Sequence, residues 1–141
     1  MPLTRKLGWE QILERAVQDA RDRTFEWGKF DCCMWACDVV LAITGLDVAA
    51  LFRGQYNSRN SMAKMLKRKG AFSLSSLCGT VARAHRMPEI PPLSARRGDL
   101  VLVKESGRHS LGVCTGVYVR ATAAKGLAYM EQDTWVKAWR V

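Results

Sequence analysis

The side chains able to do nucleophilic or acid–base chemistry near neutral pH are few: five cysteines and two histidines in 141 residues. Cys32, Cys33 and Cys37 crowd into the stretch FEWGKFDCCMWACDVVLAITG, Phe25 to Gly45. Asp31, just before them, is a good helix N-cap, because its carboxylate can accept hydrogen bonds from the first unpaired helical N–H groups. From Cys32 to Ile43 the chain is apolar or small except at Asp38, and Gly45 supplies a left-handed stop. A helix apolar on all faces is a buried one, and this one is too short to cross a membrane. The expectation is a buried helix with Cys32 as its first residue. There the helix dipole and free N–H groups favour a thiolate and lower the cysteine pKa. Cys33 and Cys37 share one helix face and are expected to pack. The alternative for Cys32 is the same fate, since free cysteine is among the most buried residue types.

The elements that must position this stretch are legible on either side. Trp9, Ile12, Leu13, Ala16, Val17 and Ala20 form one apolar stripe, which predicts a covering helix over about Gly8 to Arg21. Phe25, Trp27 and Phe30, in an aromatic loop, are expected to line a cleft rim beside Cys32 or to staple the loop to the core. Asp47 can cap a short helix ending before Gly54, and Ser58 one that runs through Met62, Met65 and Leu66 to Lys69-Gly70. A fourth helix is predicted near Leu74 to His85, with His85 exposed at its end. Met87 to Arg97 contains Pro88, Pro91 and Pro92 and reads as a linker. Strands are predicted at Asp99 to Lys104, Ser110 to Arg120, about Gly126 to Glu131, and Thr134 to Val141, the last as an amphipathic edge strand. Arg97-Gly98-Asp99 reads as a turn into the first of them. Helices over about 1–86, a linker over about 87–97 and strands over about 98–141 give a single α+β domain with an antiparallel sheet.

The formal charge is +9, with clusters at Arg5-Lys6, at Lys64, Lys67, Arg68 and Lys69, and at Arg96-Arg97. Such a surface suits an anionic partner: a cell-wall polymer, an acidic protein or nucleic acid. No recognisable nucleic-acid motif accompanies it, so no nucleic-acid partner is expected. The N-terminal MPLTRKLGWE has no apolar signal core, and no apolar run reaches transmembrane length, so neither secretion by leader nor membrane insertion is expected. An odd number of cysteines without a C-x-x-C pair predicts free thiols in a reducing compartment and no metal or cofactor.

W-G-x-x-D-C followed by an apolar helix, here Trp27, Gly28, Asp31 and Cys32, resembles the nucleophile segment of NlpC-type papain-like cell-wall peptidases, whose motif is D-C-S-G. The whole chain resembles a family of small proteins encoded in the tail-gene region of siphophages. That likeness rests on WG-x-x-D-C-C, on Ala42 to Asp47, and on Arg53-Gly54-Gln55-Tyr56. It continues through Arg97-Gly98-Asp99, Leu111 to Gly116, and Ala138 to Val141.

The resemblance implies a papain-like NlpC-type fold, with the Cys-bearing helix packed on the C-terminal sheet and Cys32 as nucleophile. In those peptidases the base opens a strand as H-V-G-I-Y-x-G. The matching run is Ser110 to Gly116, which puts Ser110 at the histidine position and His109 one residue early. One residue along a strand turns a side chain to the other face. His109 is therefore expected to need a bulge near Arg108 to Ser110 to act as base. Glu131, with Gln132 and Asp133, is the candidate to orient it, and Trp27, Phe30, Asp31 and Ser110 are the candidate cleft rim. The likeness further implies a tail-tip or tail-assembly component, made in the host cytoplasm and carried in the virion tail. Its partners would be other tail proteins and peptidoglycan. Its activity would be cysteine peptidase or amidase action on peptidoglycan peptides, or none if the fold is kept as a docking module. Net charge alone carries a third reading, a basic nucleic-acid binder.

Overall fold

The computed structural model describes residues 3–141, so Met1 and Pro2 of the expected helical part lie outside the described residues. Four helices precede six strands: α1 (Trp9–Asp19), α2 (Met34–Thr44), α3 (Arg59–Arg68) and α4 (Leu74–Ala84), then β1 (Glu89–Ile90), β2 (Leu100–Glu105), β3 (Arg108–Cys114), β4 (Val119–Thr122), β5 (Leu127–Met130) and β6 (Trp135–Trp139). The strands form one sheet in the order β1-β6-β2-β3-β4-β5, antiparallel throughout. The class is α+β.

The apolar run of α2 is buried around most of its circumference, from Met34 through Ile43, and Gly45 ends it at φ 81°. Leu100, Leu102, Leu111, Val113 and Trp139 of the sheet join the same core as the helices. Alternate residues Val101, Val103, Cys114, Val119, Ala121, Met130, Trp135 and Ala138 fill a second apolar cluster on the opposite sheet face. The indole N–H of Trp135 donates to the Met130 carbonyl at 3.2 Å, so the sheet curls to bring β5 and β6 together across that second face. α1 lays its stripe on the core with Leu13 fully buried. α3 starts at a capping box in which Ser58 and Ser61 satisfy each other's backbone N–H groups. Ser73 caps α4.

Four expectations change. Residues 47–54 form hydrogen-bonded turns rather than a helix, although Asp47 does accept from the Ala49 N–H at 3.0 Å. Asp47 also holds Arg53 through two bonds, a local alternative to helical pairing. The proline-rich 87–97 segment is more than a linker, since its β1 pairs with β6 at the sheet margin. The predicted Ser110 to Arg120 strand is two strands, broken at Thr115 to Tyr118, where Gly116 takes φ 124°. β6 is an inner strand between β1 and β2. Its alternation is interrupted because the register against β2 shifts between Leu102 and Val103, leaving Val136 as the extra residue.

The Arg97-Gly98-Asp99 turn does lead into β2, and it also builds a buried ionic knot. The fully buried Asp99 carboxylate accepts from Arg5 at 2.9 Å, Arg140 at 3.2 Å, the Arg96 N–H at 2.9 Å and the Val141 N–H at 3.1 Å. Arg5 further donates to the carbonyls of Arg97 and Val141. Gly98, at φ 91°, admits that guanidinium: a Cβ there would lie 2.7 Å from Arg5 Nη1.

Candidate functional site

The turn that presents Cys32 is shaped by one carboxylate. Asp31 is fully buried. Its Oδ1 accepts from the N–H groups of Cys33 at 2.9 Å and Met34 at 2.8 Å. Its Oδ2 accepts from the Gly28 N–H and from the Tyr56 hydroxyl, both at 2.7 Å. Gly28 sits at φ 86°, where a Cβ would come within 2.3 Å of the Tyr56 carbonyl oxygen. The WGKFDC loop and the R-G-x-Y segment are thus locked together around Asp31. Because Asp31 caps Cys33 and Met34, the helix begins at Met34, and Cys32 stands in the preceding turn rather than as its first residue. Its carbonyl accepts from the Leu111 N–H at 2.7 Å, which ties this turn to β3.

Cys32 is half-buried and lines an open cleft of about 440 Å³. Phe25, Trp27 and Leu74 share that lining with Met62, Ala63 and Leu66 of α3; Arg59, Arg108, His109 and Ser110 complete it. Trp27 is held edge-on to Phe25 with centroids 5.1 Å apart. Two other expected rim residues are elsewhere. Phe30 is buried in the core under the Arg23 guanidinium, 4.4 Å from its centroid, and Asp31 is fully buried in its capping role.

β3 pairs with β2 without interruption from Leu100 opposite Val113 to Glu105 opposite Arg108. No bulge is present in that pairing. His109 stands on the same strand face as Leu111 and Val113, which pack against the helices, whereas Ser110 takes the alternate face with Val103. The histidine one residue early is therefore the one turned to the helical side, and it lines the cleft with Cys32. Glu131 is not brought to it. Glu131 follows β5, whose last residue Met130 pairs with Val119, itself opposite Cys114 at the far end of β3.

The electrostatics reverse one expectation. The Cys32 thiol is pushed up to about 12, by burial first and by the Asp31 charge second. The N–H groups that would have favoured a thiolate are already taken by Asp31. His109 is held below the ordinary histidine value by burial and by the nearby Lys104 and Lys137 charges. At neutral pH the Cys32 thiol and the His109 imidazole are both uncharged, and a neutral imidazole can accept a proton. Cys33 and Cys37 are buried as expected. Among the described residues no group of three His, Cys, Asp or Glu side chains is arranged to hold a metal ion. No described helix is long and apolar enough to cross a membrane.

The family model described as "Domain of unknown function (DUF6950)" matches residues 4–141. The chain belongs to this family. The matched span takes in every residue of the cleft and of the Asp99 knot. No curated protein matches the chain.

Sequence reasoning passed over Tyr56, Arg59 and Arg108 as parts of this site. Tyr56 was visible as the end of the R-G-x-Y segment, but nothing local pairs it with Asp31. Arg59 and Arg108 each open an element and reach the cleft only through the tertiary fold.

Proposed function

We propose that the chain is a siphophage tail-tip or tail-assembly protein of papain-like, NlpC-type architecture, and that its cleft cleaves peptide bonds of peptidoglycan. The observation that carries this reading is that Cys32 and His109 line one cleft, with His109 on the helix-facing side of an unbulged strand. With the thiol pushed up to about 12, Cys32 is protonated at neutral pH. Attack is therefore coupled to proton transfer. Cys32 Sγ bonds to the scissile carbonyl carbon as His109 takes the thiol proton. The C–N bond then breaks, and His109 returns that proton to the departing amine. Water, deprotonated by His109, hydrolyses the thioester and restores the thiol. Substrate closing over the cleft excludes water and brings the two groups within the reach that proton transfer requires.

The test is release of soluble fragments from purified peptidoglycan. Wild type should release them, Cys32→Ala and His109→Ala should each abolish release, and Ser110→Ala should change it less than about threefold. A second reading, a tail docking module with an inert thiol, draws on the raised Cys32 pKa and on there being, among the described residues, no carboxylate ion-paired to His109. It predicts no fragment release by wild type and normal infection by phage carrying Cys32→Ala.

A further inference from the structure

We infer that the Cys32 cleft selects a ligand that bears a carboxylate beside an apolar body, and that Arg59 and Arg108 are the residues that recognise the carboxylate. The inference rests on the cleft being a ligand site, but not on its being catalytic. The lining contains two arginines and a histidine and no aspartate or glutamate. Arg59 and Arg108 are exposed, and among the described residues neither side chain has an ion-pair or hydrogen-bond partner, so both are free to meet a ligand.

Their placement is not explained by local structure. Arg59 is the first residue of α3, where the helix dipole disfavours a cation, and no acidic residue occupies that first turn. Arg108 is the first residue of β3, opposite Glu105, without an ion pair to it. Lys104, directly opposite His109 across the β2–β3 pair, and Lys137 add positive charge near the imidazole. Guanidinium groups grip a carboxylate through two parallel N–H bonds, a geometry that a lysine does not reproduce. Phe25, Trp27, Met62 and Leu74 supply the apolar wall for the rest of the ligand. An acidic peptide has both parts.

The probe is Cys32 itself. Iodoacetate carries a carboxylate and iodoacetamide is its neutral isostere; both transfer their carbon to the thiolate with loss of iodide. Rates of Cys32 labelling at pH 9 and low salt would be read by peptide mass mapping, with glutathione as the free-thiol reference. The expected iodoacetate-to-iodoacetamide rate ratio is at least tenfold above that of glutathione. Arg59→Ala and Arg108→Ala should each lower it severalfold, the double variant to the glutathione value, and the lysine replacements should restore it only in part. Lys64→Glu should leave it unchanged. A wild-type ratio equal to that of glutathione, or a raised ratio indifferent to both arginine variants, overturns the proposal.

A second measurement avoids the thiol. The His109 imidazole NMR signal should shift on titration with N-acetyl-Leu-Glu-amide at least tenfold more tightly than with N-acetyl-Leu-Gln-amide, which lacks any carboxylate, and equal binding overturns the proposal. Anion selection without wall hydrolysis would refute the peptidase reading and leave this one standing. Hydrolysis without anion selection would do the reverse.

Discussion

Among the described residues Asp31 and Asp99 are the two fully buried carboxylates, and each fixes a turn by accepting from several donors. A donor left buried without a partner costs about 1–3 kcal/mol. Asp31→Ala strands the Tyr56 hydroxyl and backbone N–H groups together, and should lower stability by about 3 kcal/mol in urea titration. Asp31→Asn, which keeps one acceptor oxygen, should lose less. The same carboxylate governs the thiol. Its charge helps to raise Cys32, so alkylation should be slow at neutral pH and accelerate with pH toward about 12. Labelling that levels off below pH 8 would contradict this. The capping role of Asp31 was legible from its place before an apolar run. Its effect on Cys32 was not, because whether helix-start N–H groups remain free for a thiolate depends on which side chain reaches them first. Asp99 read only as a turn residue, since its arginine partners lie about 94 and 41 residues away in sequence.

The elements divide by how local their causes are. α1, α2, α3 and α4 were all visible in the sequence as apolar patterns, and α2 and α3 also by Asp31, Gly45 and Ser58 near their ends. The turns at 47–54 were misread because Asp47 serves Arg53 as well as Ala49. In the sheet, neither the inner place of β6 nor the face of His109 could be taken from a strand pattern alone. Both follow from register against β2, which the hairpin at Ser106-Gly107 and the shift at Val136 set. One glycine tests how tightly β3 and β4 are joined. A Cβ on Gly112 would lie 2.5 Å from the Arg120 carbonyl oxygen and 2.6 Å from Val119 Cγ1. Gly112→Ala should force these strands apart and cost about 1–3 kcal/mol in thermal or urea unfolding, as overpacking generally does. Gly107→Ala is less crowded, since its Cβ would meet nothing within 4 Å; its φ of 77° still imposes backbone strain.

At the scale of the whole molecule, the basic surface and the core are separable. Lys64, Lys67 and Lys69 are exposed on and just beyond α3, while Met62 and Met65 of the same helix are buried. Reversing the three lysines to Glu should change stability by less than about 0.5 kcal/mol each, measured by thermal melting. A larger loss would mean that these side chains pack. The segregation of helices from strands was legible from composition along the chain. What lay beyond it was the curl of the sheet and the joining of chain ends, both products of contacts across most of the sequence.

The Asp99 knot gives the chain the topology of a nearly closed ring. Arg5 and Val141 meet directly although 136 residues separate them. Tying ends that far apart restricts a free chain by on the order of 4 kcal/mol, and a covalent join at this spot would impose that restriction on the unfolded state alone. The order of elements can then be rotated. A chain joined across the knot and opened at exposed Gly70, between α3 and α4, would keep every strand pairing. Arg5 and Val141 lie at one point of the surface, and that point shares no lining residue with the cleft.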